Sequence, residues 1–296
     1  MNIAQRELAF GKHQLVLLRR AFAQASGLRA GAADVDGHRL AYLDRGRGDP
    51  MVCVHGFGGD KETWLLMAPW LPRRLRTVLL DLPGHGASST IAGDRAHARA
   101  QAEVVVRFLD HLGLDRVVLA GNSMGGGVAL RVASDHPDRV RGLVLVASAA
   151  PVWIPNELSE ALDRGENLLV PDSREKTDAF LRTVTARPPR VPRAVQRYVT
   201  AERVARQGYL DEIFRGWAGA APGDNMPADL EAIAAPALVI HGARDRIIHP
   251  ATADLLATRL PNARRVILDG IGHVPQIEDP RRVARLVDEF TRRLPA

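Results

Sequence analysis

The sequence predicts an α/β protein with a mostly parallel central sheet, flanking helices and an inserted helical segment. Three observations lead there. Short runs apolar on both faces recur at 51–54, 77–82, 117–120 and 140–147, then again within 236–245 and 263–273. Such strands need cover on both faces, as in a buried parallel sheet. Segments of helical period alternate with them: Ala96–Leu112, where Val104, Val105, Phe108 and Leu112 recur at helical spacing, then Gly125–Ser134, Thr252–Leu260 and Pro280–Arg293. Between 151 and 229 the alternation stops, giving prolines, arginines and helix-like pieces without a buried strand. The economical division is an N-terminal helical extension at 1–33, a core at 34–150 and 230–296, and a helical cap at 151–229.

Taken in order, residues 13–28 (HQLVLLRRAFAQASGL) place Leu15, Leu18, Phe22 and Ala25 on one helical stripe. That stripe is expected to pack on its own domain. The alternative is a peripheral membrane contact, apolar side down, with Arg19 and Arg20 near headgroups. Asp34–Leu43 reads as a hairpin turning at Asp36-Gly37.

Composition bounds the function. Of 296 residues, 46% are hydrophobic and 25% charged, an ordinary globular balance. Net charge is +6, almost all the basic residues being arginine; lysine occurs only at Lys12, Lys61 and Lys176. No basic block interleaved with aromatics exists, so the arginines read as solvated surface and no nucleic-acid partner is expected. No run approaches a membrane span. No signal peptide is recognised, so a cytoplasmic location is expected, with membrane association as the variant. Cys53 is the single cysteine, mid-strand, and reads as core.

The chemistry centres on Gly121-Asn122-Ser123-Met124-Gly125, a Gly-x-Ser-x-Gly directly after a strand and before a helix. A sharp strand-to-helix turn lifts a serine hydroxyl above the sheet, and the glycines let strand and helix close together. Serine needs a base. His273 follows the strand and loop ending Asp269-Gly270-Ile271-Gly272, and Asp245 ends HGARD; the order Ser, Asp, His suits this architecture. Asp269 is the rival acid. His55 is structural, His241 reads as a satisfied core histidine and His249 as a surface residue. No histidine pair has zinc spacing, so no catalytic metal is expected. Two backbone N–H groups should hold the oxyanion, those of Met124 and of Phe57 in His55-Gly56-Phe57-Gly58-Gly59. Asp81-Leu82-Pro83-Gly84-His85-Gly86-Ala87-Ser88 should shape a turn and help order the histidine loop.

Together HGFGGDKETW (55–64), DLPGHGAS (81–88), GNSMGG (121–126), ARDRI (243–247) and GIGHVPQIEDP (270–280) resemble the α/β-hydrolase superfamily, from Asp34 to the end. Within it, ELSEALDRGENLLVPDS (157–173), RPPRVPRAVQRYV (187–199) and LDEIFRGW (210–217) are similar to the cap of bacterial lipases and esterases related to monoacylglycerol lipases. The resemblance implies an α/β-hydrolase fold and cofactor-free cleavage of small or lipid carboxylic esters. It puts the triad on Ser123, Asp245 and His273 and the oxyanion donors on Phe57 and Met124. One departure is His85, where many such lipases carry phenylalanine. Trp153, Ile154, Leu158 and Val274 are the candidate pocket liners. Two rivals stay open: a carbon–carbon hydrolase of ring-cleavage diketones, which predicts arginines converging on the pocket, and an inactive scaffold.

Overall fold

The computed structural model describes residues 3–188 and 191–295; Pro189 and Arg190, within the RPPRVPRAVQRYV stretch, lie outside the described residues. One sheet holds β1 (Arg29–Val35), β2 (His38–Arg45), β3 (Asp49–Val54), β4 (Leu75–Leu80), β5 (Val117–Asn122), β6 (Val140–Val146), β7 (Ala237–Gly242) and β8 (Ala263–Leu268), in the spatial order β1-β2-β4-β3-β5-β6-β7-β8. The β1–β2 and β2–β4 pairs are antiparallel and all the others parallel. This is the predicted α/β class. The hairpin is longer than its alternating pattern suggested, running from Arg29 to Arg45, with Asp36 and Gly37 both at positive φ (48° and 76°) in the turn.

Helices cover both faces: α1 (Ile3–Ala25), α2 (Ala98–His111), α3 (Met124–Asp135), α4 (Glu157–Asp163), α5 (Arg174–Val184), α6 (Arg193–Ala205), α7 (Gln207–Ala218), α8 (Pro222–Asn225), α9 (Ala251–Arg259), α10 (Pro275–Glu278) and α11 (Pro280–Thr291). The period of two along each strand divides the core. Val52 and Val54 join Val78, Leu80 and Leu119 against α2, α3 and α9, while Met51 and Cys53 join Leu79, Val118 and Ala120 against α11 and Trp64. Each such large apolar side chain contributes roughly 1.5–3 kcal/mol when fully buried. Cys53 is fully buried, and burial pushes its thiol well above the usual range.

Helices α4 to α8 all fall between β6 and β7. Local signals set their starts: Asn156 and Ser159 form a reciprocal capping box at α4, and the Ser173 hydroxyl accepts from Lys176 N–H at α5. The insertion therefore starts at the C-terminal rim of the sheet, where β3, β5, β6, β7 and β8 all end.

Helix α1 differs from its expectation. It lies along α6, and its packed face is made by Gly11, where a β-carbon would collide with the Ala194 carbonyl, and by Arg19, whose guanidinium donates to Asp60 at 2.7 Å. The predicted stripe points elsewhere: Leu15 is half-buried, but Leu18 and Phe22 are each 41% exposed, beside Leu17 and Phe10. Gly11 allows close backbone approach and Arg19 adds an ion pair to Asp60, beside half-buried Leu15, Val16 and Ala23. Among the described residues no helix is long and apolar enough to cross a membrane.

Candidate active site

Asn122 ends β5 and Met124 opens α3, so Ser123 alone makes the turn, at φ 54° and ψ −119°. A non-glycine residue there stores about 1–3 kcal/mol of strain and persists only when its surroundings over-determine it. They do. Ser123 N–H donates to the Val146 carbonyl at 3.1 Å, and its own carbonyl accepts from the N–H groups of Gly126 (2.9 Å), Gly127 (3.3 Å) and Ala149 (3.1 Å). The glycines on either side are sterically required: a β-carbon at Gly121 would strike the Gly125 carbonyl, and one at Gly125 the Val54 carbonyl. As the first helical residue, Met124 has an N–H without an intrahelical acceptor.

Asp245 and His273 follow β7 and β8, on loops so close that a β-carbon at Gly242 would strike the Gly272 carbonyl. His273 Nδ1 lies 2.8 Å from Asp245 Oδ2. A carboxylate only accepts, so Nδ1 carries the proton and Nε2 is left as the lone-pair nitrogen. The Asn122 amide donates to the Val146 carbonyl at 3.0 Å and to the His273 carbonyl at 3.3 Å, tying the residue before Ser123 to the backbone of the imidazole. Asp269, the rival acid, sits exposed at the strand end.

Asp245 is 6% exposed. Its Oδ1 accepts from Ile247 N–H (2.8 Å) and Ile248 N–H (3.0 Å), and its Oδ2 also receives His241 Nε2 at 2.9 Å. Burial alone would raise this carboxyl. The charge of His273 and the hydrogen bonds from His241 and His273 outweigh it and hold the group well below the usual carboxylate range. His241 is therefore a second partner of the acid. Its place four residues before Asp245 in HGARD was the available signal, which its apolar strand obscured.

The loop after β3 brings Gly56 beside the serine; a β-carbon there would lie 3.1 Å from Ser123 Cβ. Phe57 follows, its ring 6.0 Å from His85 and 5.5 Å from Phe214. His55 is fully buried, its Nε2 accepting from Leu82 N–H at 3.1 Å while Nδ1 faces its neighbour's carbonyl at 2.8 Å, and burial lowers its pKa despite Asp81 nearby. Burial first, then His55 and the guanidiniums of Arg206 and Arg203, push His85 down to about 3, so it is neutral at physiological pH. The contacts of Asp81 run to Lys61 (backbone N–H at 2.6 Å, ammonium at 2.7 Å) and Ala87 N–H (2.8 Å). It therefore helps order the loop that carries His55 and Phe57.

The inserted helices touch these loops directly. Val184 accepts from His273 N–H at 3.0 Å. Glu278 accepts from Gly272 N–H (3.0 Å) with one oxygen and from Ala186 (2.9 Å) and Arg187 (2.7 Å) N–H with the other. No pattern in the sequence singled out Glu278. Arg203 of α6 donates to the Gly58 carbonyl, and Arg206, just past that helix, to the Gly84 carbonyl. Reading every arginine as solvated surface fails for Arg203, whose pKa burial lowers to about 10. Of the candidate pocket residues, Trp153 is 53% exposed, Leu158 is buried with Val184, Ile247 and Ile248, and Ile154 and Val274 are half-buried. Among the described residues no group of three His, Cys, Asp or Glu is placed to hold a metal.

The family model described as alpha/beta hydrolase fold matches residues 49–280. A dihydrolipoyllysine-residue acetyltransferase component of an acetoin cleaving system from Pseudomonas putida is 36% identical, over 91% of this chain and 71% of its own. Lipase 1 of Psychrobacter immobilis is 30% identical, over 82% and 77% respectively. Among solved structures, a membrane phospholipase A, a bacterial virulence factor, superposes with a TM-score of 0.91 at 33% identity, covering 96% of this chain and 92% of that one. The chain belongs to the α/β-hydrolase fold family.

Proposed function

We propose that the protein is a serine carboxylic-ester hydrolase of the lipase and monoacylglycerol lipase kind, acting through a covalent acyl-enzyme. The observation that carries this reading is the 2.8 Å hydrogen bond between His273 Nδ1 and Asp245, which fixes the tautomer a serine base needs. Ser123 Oγ attacks the ester carbonyl as His273 Nε2 takes its proton. The oxyanion is met by the N–H groups of Met124 and Phe57. Collapse expels the alcohol, protonated by His273, and water repeats the sequence to free the acid. Asp245 holds the imidazole and stabilises the imidazolium. Helices α4 to α8 form the cap over the acyl channel, with Trp153, Ile154, Leu158 and Val274 at its margin.

The names of the lipase and phospholipase relatives support lipid esters as the substrate class. The exposed Phe10, Leu17, Leu18 and Phe22 of α1 support peripheral contact with a membrane along residues 13–28. A second reading, a carbon–carbon hydrolase of ring-cleavage diketones, is favoured by one observation: Arg203 and Arg206 lie on the loops flanking Phe57.

Monoacylglycerols and p-nitrophenyl esters of graded chain length, assayed beside a ring-cleavage diketone, test the proposal. Ester turnover lost in Ser123→Ala is the expected result. Rapid diketone cleavage with negligible ester turnover would overturn it.

A further inference from the structure

Arg203 is a cation in an expensive place. Its guanidinium lies under the Phe180 ring at 4.0 Å and against the Gly58 loop, where a β-carbon would come within 2.8 Å of Nη2. Its hydrogen bonds are two long ones, Nη1 to the Gly58 carbonyl at 3.4 Å and Nη2 to the Leu169 carbonyl at 3.2 Å, and its buried Nε has no partner. Among the described residues neither Arg203 nor Arg206 has a carboxylate in ion-pair range. The carboxylate that acts on Arg203 is Asp60, already 2.7 Å from Arg19.

Arg206 makes this costlier. It is close enough to repel Arg203 and donates one hydrogen bond, from Nη2 to the Gly84 carbonyl at 3.1 Å. A guanidinium with a buried, unpartnered Nε, no carboxylate in ion-pair range and a second positive charge nearby opposes folding. A strut between α6 and the core loops would need no charge; glutamine or methionine could span the same gap. Each planar guanidinium retains N–H groups beyond those bonded, the fork that carboxylates and phosphates accept.

Position says what such an anion belongs to. Gly56 abuts Ser123 and Gly58, two residues on in the same turn, abuts the Arg203 guanidinium, so one short loop borders both side chains. His85, which both arginines help hold neutral, packs its ring against Phe57 and adds no competing charge.

We infer that Arg203 and Arg206 form an anion subsite, selecting esters that carry a phosphate or carboxylate a few bonds from the scissile carbonyl. The inference rests on the hydrolase reading for what is cut, and on these two side chains alone for what is preferred.

The test compares octanoyl esters of glycerol, glycerol phosphate and glyceric acid below their micelle concentrations. The wild-type protein should favour an anionic ester over octanoylglycerol by about tenfold or more in kcat/KM, the scale of one charge-assisted hydrogen bond. The phosphate and carboxylate arms identify which anion is preferred. Arg203→Gln and Arg206→Gln should each lower the anionic-to-neutral ratio, chiefly through KM, and Arg203→Lys should restore part of it. Equal wild-type rates on all three esters, or a ratio untouched by both glutamine variants, would overturn the subsite. Calorimetric titration of Ser123→Ala with glycerol phosphate reads the subsite without turnover. Binding that disappears on adding Arg203→Gln supports it, and no binding rejects it. Absence of all ester turnover, with glycerol phosphate still bound, would instead strike the hydrolase reading.

Discussion

Lys61 grips Asp81 twice, its backbone N–H donating to one carboxylate oxygen at 2.6 Å and its ammonium to the other at 2.7 Å. The Asp81 side chain is fully buried and that of Lys61 is 10% exposed. This pair joins the loop after β3 to the loop after β4, and so fixes the segment that carries Phe57.

Breaking one partner of a buried pair costs about 3–5 kcal/mol, because the other charge is stranded. Asp81→Ala should therefore lose most of that in urea unfolding, and Lys61→Met a comparable amount. The double variant Lys61→Met with Asp81→Asn should recover part of the loss, since no charge is left buried. Strictly additive losses would show that the two side chains do not act as a pair.

Glu62 should make stability depend on pH with the opposite sign to an ordinary paired carboxylate. Burial first, then repulsion from Asp60, push its carboxyl up to about 7 against the pull of Arg19 and Lys61, from an ordinary value of 4.5. The folded state thus holds the proton more tightly. Its contribution is complete below about 4.5 and lost as pH rises through about 7. Glu62→Gln should flatten the fall in urea midpoint between about pH 5 and pH 8. Parallel wild-type and variant curves would count against it.

His241→Phe removes one of the four polar contacts on Asp245, an Nε2 that also faces the Ile248 carbonyl at 3.0 Å, the other three coming from Ile247, Ile248 and His273. A hydrogen bond to a charged group is worth about 1.5–3 kcal/mol. The depressed carboxyl of Asp245 stabilises the fold above its unfolded value of 3.8, and that contribution fades as pH falls toward the folded value. With one donor gone, acid unfolding should begin at a higher pH and kcat should fall by about tenfold, the effect of roughly 1.4 kcal/mol in the barrier. An unchanged acid limb would mean that His241 packs without supporting the acid.

Ser123→Ala should abolish ester turnover with the fold intact. Ser123→Gly should do so while raising stability by about 1–3 kcal/mol, because glycine tolerates the strained backbone. Thermal unfolding reads this directly; a glycine variant less stable than wild type would contradict stored strain at the turn.

Much of this was legible because it depended on local rules. Alternation placed Val52 opposite Cys53, two-sided apolar runs marked β3 to β7, and glycine spacing around Ser123 reported a steric need that the Gly125 and Val54 carbonyls make concrete. What stayed hidden depends on contacts between distant segments. Glu278 reaches Ala186 and Gly272, and Arg203 crosses from α6 to Gly58; neither residue type nor spacing encodes such a meeting. The N-terminal stripe misled for a related reason. Its periodicity is real, but the side of α1 that docks carries Gly11 and Arg19, residues an apolar stripe leaves out.

The sealing of Cys53 inside β3 has a practical corollary. Its sulfur is the single thiol of the chain, so a maleimide or disulfide reagent added to the native protein has nothing to attack until that strand leaves the sheet. Labelling rate is then a built-in clock for global opening. One cysteine engineered at any surface position would take a fluorophore with no background from the interior.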